Sequence, residues 1–161
     1  MKRFYFLLSA LTGTAGLMNP AFADGRQEEK IIADAGAVIW KPAPDIFPAG
    51  IKIAYLYGDL TKHEPFTLRV MMPPHSVIPL HTHNLNEMLT VLSGNLDHYT
   101  GTGTEKSAPH PLAAGAFVHL PVNMAHALQA GDQPVVLQVS GVGPFEMTYV
   151  DPKDDPRHKL R

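Results

Sequence analysis

The stretch HTHNLNE, residues 81–87, decides the fold of this chain. His81 and His83 are separated by one residue in a strand-like segment, so both imidazoles project from the same face of the strand. Glu87 stands at the start of the next apolar segment, and a third imidazole, His126, stands at the mouth of a much later one. Three neutral imidazoles and one carboxylate form a good site for a divalent first-row metal. A His-x-His pair alone indicates little, because such pairs also occur by chance.

Short apolar segments separated by turns surround this stretch. Residues 51–57 and 66–72 alternate in polarity with a period of two, which predicts half-buried strands. Further strands are expected at residues 37–40, 87–92, 96–99, 116–120, 125–130, 135–140 and 145–150. Ser93-Gly94-Asn95 indicates a hairpin, and residues 100–111 are polar and rich in glycine and proline, which is typical of a loop. About ten short strands, with no helix of three turns after residue 23, favour an all-β sandwich or barrel.

The composition agrees with this fold class and excludes several functions. The chain has 161 residues, of which 45% are apolar and 17% charged, and its formal charge is −2. These values suit one domain with a sizeable core and exclude both a disordered chain and a strongly basic nucleic-acid-binding protein. Because the chain has no cysteine, it cannot contain a disulfide, a thiolate zinc site, an iron–sulfur cluster or a cysteine nucleophile.

Residues 1–23 have the pattern of a secretory signal peptide. Lys2-Arg3 gives a positive start, residues 4–18 carry no charge, and Ala21-Phe22-Ala23 provides small residues for a signal peptidase. The expected domain therefore covers residues 24–161 in the periplasm or outside the cell, with no membrane association after cleavage. An uncleaved N-terminal anchor is the alternative.

Two motifs resemble the conserved motifs of the cupin superfamily: His81-x-His83-x(3)-Glu87-x(6)-Gly94 and Gly115-x(5)-Pro121-x(4)-His126. The core of the resemblance covers residues 75–141. It implies a single jelly-roll β-barrel that opens at one end. It also implies one metal ion held inside by His81, His83, Glu87 and His126.

Three positions depart from the usual cupin pattern. His75 stands where a glycine commonly opens the first motif, Asn123 replaces a glycine in the second motif, and Ala130 stands where an asparagine is often found. Asparagine tolerates a left-handed backbone, so we expect Asn123 to occupy the glycine turn. The Ala130 position is not a ligand in such proteins.

Other residues are candidates for the wall of the barrel cavity. Leu89, Val91 and Leu128 share strand parity with Glu87 and His126, so they are expected to face the interior. His119 lies in an apolar strand and is either a pocket residue or a structural one. Gln138 either points into the interior or faces outward. The remaining histidines stand among polar residues and are expected to be exposed: His63, His98, His110 and His158.

The resemblance implies a metal site without fixing a reaction, because cupins include dioxygenases, oxalate-processing enzymes, isomerases, storage proteins and binding domains. The first hypothesis is a metalloenzyme acting on a small organic molecule by oxidative cleavage, with decarboxylation or isomerisation as the next choices. The second is a non-catalytic periplasmic cupin that binds a metal or a small ligand. The ligand set accepts Fe, Mn, Ni, Cu, Co or Zn. Homodimers are common in the family, and exposed strand edges permit them.

Overall fold

A computed structural model of the protein describes residues 29–160, and residues 31–160 belong to one unit built of strands. The signal peptide expected at residues 1–23 lies outside the described residues. The strands are β1 (Lys41–Pro42), β2 (Lys52–Tyr57), β3 (Pro65–Met72), β4 (Val77–His83), β5 (Glu87–Ser93), β6 (Asn95–Thr102), β7 (Glu105–Lys106), β8 (His110–Ala113), β9 (Phe117–Leu120), β10 (His126–Ala130), β11 (Val135–Val142) and β12 (Met147–Tyr149). Short 3-10 helices occur at Ala35–Ala37, Pro152–Asp154 and Pro156–Leu160. None of the helices in this part of the chain is long and apolar enough to cross a membrane.

The strands form two antiparallel sheets. The first sheet has the order β1-β2-β3-β11-β5-β9, and the second has the order β12-β4-β10-β6-β7, with β8 also paired to β6. The described residues contain no α-helix, so the expected all-β class is confirmed, and the two sheets are arranged as in a jelly roll. The short segments of alternating polarity form strands that bury one face, which explains why no long helix occurs among the described residues.

The core lies between the sheets and follows the period-two pattern of the sequence. On β3, residues Phe66, Leu68, Val70 and Met72 are buried, whereas the residues between them are only half-buried. Leu68 pairs with Val139 on β11, which in turn pairs with Leu89 on β5, so the inward side chains of three strands form one layer. Full burial of each such side chain stabilises the fold by about 1.5–3 kcal/mol.

The turn at Ser93-Gly94-Asn95 is not a hairpin, contrary to the sequence-based expectation. β5 belongs to the first sheet and β6 to the second, so the turn carries the chain from one sheet to the other. Gly94 has a φ of 80°, and a β-carbon there would lie 2.5 Å from the carbonyl oxygen of Pro134. Hairpins and such corners both require a glycine with positive φ, so the local sequence does not distinguish them.

The edges of the sheets differ from the expected strand boundaries. The strand expected at residues 37–40 does not form: a 3-10 helix, whose N-terminal amides are capped by Asp34, ends at Ala37, and the short β1 begins only at Lys41. The loop expected at residues 100–111 contains the end of β6, all of β7 and the start of β8. These edge strands form because β6 offers an unpaired side, which weak local β-propensity does not reveal.

Within residues 29–160, two non-glycine residues have positive φ angles, and both occupy motif positions where a glycine is common. Asn123 has a φ of 62° and His75 a φ of 59°. The expectation that Asn123 takes the left-handed conformation is therefore confirmed. The Asn123 amide donates a hydrogen bond of 2.8 Å to the His83 carbonyl, so this turn connects the approach to β10 with the end of β4.

Candidate metal centre

Three imidazoles converge between neighbouring strands of the second sheet. His81 and His83 lie near the end of β4, and His126 begins β10 directly opposite His81 in the antiparallel register. The ring of His81 lies 4.9 Å from that of His83 and 4.2 Å from that of His126, measured between centroids. One nitrogen from each ring lies within 4.8 Å of the others. These nitrogens are close enough to share one metal ion.

The backbone fixes which nitrogen of each imidazole is available. The Nδ1 atom of His81 donates to the Pro79 carbonyl at 2.7 Å, and that of His83 donates to the Glu146 carbonyl at 2.8 Å. The Nδ1 atom of His126 is 3.4 Å from the Met124 carbonyl. Because a carbonyl oxygen only accepts, each Nδ1 carries the hydrogen and each Nε2 keeps its lone pair. The side chains are thus oriented as metal-binding histidines usually are.

Glu87 supplies a carboxylate beside two of these nitrogens. It begins β5, and its Oε2 atom lies 3.3 Å from Nε2 of His83 and 3.5 Å from Nε2 of His126. This oxygen is buried and has no hydrogen-bond partner. Burial raises the pKa of Glu87 to about 7. An orphaned buried carboxylate oxygen is costly, and a bound cation would satisfy it.

Burial also keeps the three imidazoles neutral. It lowers the pKa of His81 to about 3, with a further contribution from the nearby His83. Burial likewise lowers the pKa of His83, and it places the pKa of His126 well below its usual range, helped by the neighbouring His81. Neutral imidazoles are the form that binds metals, so the site is ready to bind at neutral pH.

This donor set fits a divalent transition metal. Imidazole nitrogen together with carboxylate oxygen suits iron, manganese, nickel, copper, cobalt and zinc. The three imidazoles form one group, and the orphaned oxygen of Glu87 lies against Nε2 of His83 and of His126 in the same cavity, so a bound cation would satisfy it. The structure therefore brings together all four residues that the sequence resemblance implied: His81, His83, Glu87 and His126.

The four polar residues line a small internal cavity whose other walls are apolar. These walls are Phe47, Leu68, Val70, Ile78, Leu89, Leu128, Leu137, Val139, Phe145 and Met147. The space open to the centre of a water molecule is only about 20 Å³. That is room for about one water molecule, so the cavity is closed to bulk water.

Two of the expected aliphatic pocket residues line this cavity and one does not. Leu89 and Leu128 are among its walls. Val91 is fully buried on the same face of β5, but it packs into the core away from the cavity. Strand parity correctly places all three side chains in the interior of the barrel. Their position along the strand then determines which of them line the metal cavity.

His119 and Gln138 lie outside the barrel interior, so neither is a pocket residue. His119 is exposed on β9, where Leu120 takes the buried position. Gln138 lies on the outer face of β11 and accepts a hydrogen bond of 3.5 Å from Nε of Arg69. Its neighbours Leu137 and Val139 occupy the inward face. Strand parity therefore excludes both polar side chains from the cavity.

His98 was expected to be exposed, but the structure buries it directly behind a candidate ligand. Its side chain lies on the inner face of β6, and its ring is stacked on that of His126 with a centroid distance of 5.9 Å and an interplanar angle of 23°. The His98 Nε2 atom is buried without a hydrogen-bond partner. The signal for its burial was its parity with Leu96, which is also buried. The other histidines expected to be exposed, His63, His110 and His158, are exposed.

Two phenylalanines that the sequence analysis did not single out close the cavity. The ring of Phe145 lies 4.6 Å from the ring of His83 between centroids, and Phe47 reaches the cavity from the loop before β2. Phe47 lies in a loop, where strand parity makes no prediction. Phe145 lies before β12, which begins at Met147 rather than at residue 145 as expected.

The family description "cupin domain" matches residues 68–141 of the chain. This segment contains every candidate metal ligand as well as Leu89 and Leu128. No curated protein matches the chain by sequence.

Solved structures share the fold at low sequence identity. The polyketide cyclase RemF from Streptomyces resistomycificus has a TM-score of 0.66 at 14% identity over 83% of this chain and 93% of that one. The DMSP lyase DddQ from Ruegeria pomeroyi has a TM-score of 0.57 at 19% identity over 71% of this chain and 61% of that one. An oxalate oxidase in complex with glycolate has a TM-score of 0.54 at 19% identity over 68% of this chain and 60% of that one. The chain thus spans less than two thirds of the DMSP lyase and of the oxalate oxidase, and these similarities show the fold alone.

Proposed function

The chain belongs to the cupin superfamily, and from that premise we propose that it is a metal-dependent enzyme acting on a small organic molecule. The observation that carries the proposal is the orphaned Oε2 of Glu87, which faces unprotonated imidazole nitrogens in an otherwise apolar cavity. The residues that would hold one divalent metal are His81, His83, Glu87 and His126. A metal bound there supplies Lewis-acid chemistry or the activation of O₂.

The protein's own residues have three roles in this proposal. The carbonyls of Pro79 and Glu146 hold the imidazoles of His81 and His83 in the tautomer that binds metal. Glu87 would supply a carboxylate to the metal, and because burial raises the pKa of its free carboxyl to about 7, metal binding would displace a proton near neutral pH. The aliphatic and aromatic walls exclude bulk water, which strengthens electrostatic interactions with a substrate.

Oxidative cleavage is the chemistry we propose first, and decarboxylation or isomerisation comes next. All three use a substrate oxygen atom near a divalent metal, and a dry site limits competing hydrolysis. The similar structures include a cyclase, a lyase and an oxidase, so the fold itself supports varied chemistry on small molecules.

The alternative is a non-catalytic cupin that holds a metal or a small ligand. The cavity volume favours this second candidate, because about 20 Å³ leaves no room for an organic substrate beside a metal. Catalysis therefore requires part of the cavity wall to move, whereas storage of a metal ion does not.

One experiment separates the two candidates. The purified protein is loaded in turn with Fe(II), Mn(II), Ni(II), Cu(II), Co(II) and Zn(II), and each form is tested on enols, phenols and dicarboxylates with oxygen uptake and product analysis. Turnover with at least one metal, lost in His83→Ala, supports the enzyme. Stoichiometric metal binding without turnover for every metal supports the binding protein.

We also propose that the protein acts after export, in the periplasm or outside the cell. The support is the pattern of residues 1–23, with Ala21-Phe22-Ala23 before the expected cleavage point. Mass analysis of the protein from its native host should give Asp24 as the N-terminus. An intact Met1 in a membrane fraction would contradict this.

A further inference from the structure

A surface hollow lies on the other side of Phe47 from the metal cavity. We call it the outer groove. It is formed by the proline-rich loop at residues 42–51, by Val77 and Pro79 of β4, and by Asp154 and Pro156 near the C-terminus. Phe47 is a wall of both the outer groove and the metal cavity. Phe47 is the one lining residue that the outer groove and the metal cavity have in common.

We propose that the outer groove is the place where the substrate first binds, that Phe47 is the gate through which it reaches the metal cavity, and that this substrate is a neutral or cationic molecule with an apolar body. The inference rests on the proposed enzymatic function and adds a route and a substrate class to it.

The two spaces differ greatly in volume. The metal cavity offers about 20 Å³, whereas the outer groove offers about 550 Å³. Ligand pockets for small molecules commonly have volumes of about 300–1,000 Å³. The groove has the size of a substrate site, and the cavity acquires that size only when a wall residue moves.

Hydrogen bonding explains why Phe47, rather than Phe145, is the residue that moves. The Phe145 amide donates to the Leu60 carbonyl at 2.7 Å, and the Gly143 amide donates to the Glu64 carbonyl at 3.0 Å. The next residue, Glu146, accepts the hydrogen bond from Nδ1 of His83. Displacement of the Phe145 segment would therefore disturb a candidate metal ligand.

The loop that carries Phe47 is held mainly at its base. The Phe47 amide donates only within its own turn, to the Pro44 carbonyl at 2.9 Å. The Ala43 amide donates to the Ile51 carbonyl at 3.0 Å, which closes the base of the loop. Phe47 packs in the hydrophobic core, and the hydrogen bond that joins this loop to the second sheet runs from the Tyr149 hydroxyl to the Ile46 carbonyl at 2.8 Å. This loop can swing outward without breaking a hydrogen bond to any candidate ligand.

The charges along the route define the substrate class. Apart from the four candidate ligands, every wall of the cavity is apolar. The charged residues that line the outer groove are Asp45 and Asp154, and no lysine, arginine or histidine lines it. Arg157, just beyond Pro156, is already paired with Asp155. In the outer groove an anionic substrate would face two carboxylates and no lining cation before it reached the metal, which disfavours its entry.

The absence of cysteine makes the route measurable without a known substrate. Val139→Cys places a single thiol of similar size in the cavity wall, and its rate of modification by methanethiosulfonates reports access to the cavity. Three reagents differ in charge: the neutral methyl, the cationic trimethylammonium-ethyl and the anionic sulfonatoethyl forms. Ser107→Cys, at an exposed position, gives the intrinsic rate of each reagent. Val91→Cys, buried outside the cavity, reports global unfolding.

Each reporter is combined, in the full chain, with Phe47→Ala, with the milder Phe47→Leu, or with Phe145→Leu. We expect Phe47→Ala to accelerate modification of the Val139→Cys thiol about tenfold or more, Phe47→Leu to act in the same direction, and Phe145→Leu to change it less than about twofold. Relative to Ser107→Cys, the neutral and cationic reagents should react faster than the anionic one.

Three results would overturn the inference: equal or greater acceleration by Phe145→Leu, equal acceleration of the Val91→Cys thiol, or preference for the anionic reagent. The measurement needs no turnover. A failed gate is therefore distinguishable from a protein that is not an enzyme, which the metal and substrate screen tests independently.

Discussion

The Oε2 atom of Glu87 lies 3.3 Å from the Nε2 atom of His83, and both side chains are buried. Because Nδ1 of His83 donates to a carbonyl, its Nε2 carries a lone pair, and an ionised Glu87 would place a second lone pair against it. Two such atoms are compatible at this distance only with a proton or a metal cation between them. Proton and metal therefore compete for the space between Glu87 and His83.

The metal-free protein should gain stability at neutral pH when Glu87 is replaced by Gln. Burial raises the pKa of Glu87 from 4.5 to about 7. The folded state therefore binds more protons between these values, and the contribution of Glu87 to stability, fully present below about pH 4.5, is lost as the pH rises through 7. Glu87→Gln should thus exceed wild type in unfolding free energy by up to about 3 kcal/mol at pH 8 and by much less at pH 5.

Urea unfolding of chelator-treated proteins at about pH 5, 6 and 8 measures this difference. The buried histidines act in the opposite direction, because the pKa of His81 is lowered to about 3 and the unfolded chain binds its proton up to about pH 6.5. Wild type and Glu87→Gln contain the same histidines, so the contribution of these histidines cancels in the difference between the two unfolding free energies. A difference that does not change with pH would contradict the assignment.

Metal affinity should rise with pH up to about 7 and then level off. Metal binding must expel the proton from Glu87, whose pKa is about 7. The imidazoles do not compete in this range, because burial lowers the pKa of each one. Wild-type affinity should therefore change by up to about tenfold per pH unit between pH 5.5 and 7, whereas Glu87→Gln should show a much flatter profile with a lower maximum. Competition titrations with a chromogenic chelator measure the metal affinity of both proteins at each pH. Parallel pH profiles for wild type and Glu87→Gln would exclude a role for Glu87.

His83→Ala should lose most of its bound metal, whereas His119→Ala should keep it. His83 contributes one of the converging nitrogens, while His119 is exposed on β9 and serves as the matched control. Loss of one imidazole should weaken affinity at least about tenfold to a hundredfold, since changes in even the residues that orient ligands have effects of that size. Elemental analysis after dialysis gives the metal content, and a full equivalent in His83→Ala would count against the site.

The fold and the candidate ligands could be predicted because they depend on short-range patterns. The spacing of His81 and His83 in a strand places both rings on one face, and period-two alternation places Leu89 and Leu128 inside. The left-handed turn at Asn123 was also predictable, since few residue types tolerate that backbone.

What the sequence did not reveal depends on the pairing of distant segments. Gly94 suits a hairpin and a corner between sheets equally, and only the positions of β10 and β11 decide between them. Parity with Leu96 indicates that His98 faces inward, but its position behind His126 depends on the pairing of β6 with β10. The closing residues Phe47 and Phe145 come from loops, whose paths are set by tertiary hydrogen bonds rather than by local propensity.

Replacement of Asn123 should follow its backbone conformation. At a φ of 62°, Asn123→Gly should leave stability and metal affinity nearly unchanged, while Asn123→Val should cost about 1–2 kcal/mol. Because the Asn123 amide bonds to the His83 carbonyl, the valine variant should also bind metal more weakly. Thermal unfolding with and without metal tests both parts, and equal stability of the glycine and valine variants would contradict the explanation.

His98 should influence the metal site through its contact with His126. The two rings are stacked, and the buried Nε2 of His98 has no partner, which is costly for a polar atom. His98→Phe keeps a flat ring behind His126 and removes the orphaned nitrogen, so it should keep metal affinity within about threefold and raise the unfolding free energy by about 1 kcal/mol. His98→Ala leaves a void instead, and should lower stability by about 2–4 kcal/mol and weaken metal binding.

Metal titrations and denaturant unfolding of both variants, with exposed His110→Ala as the control, measure these effects. Strong loss of metal in His98→Phe with preserved folding would show that the imidazole nitrogen, rather than the stacked ring, supports the site.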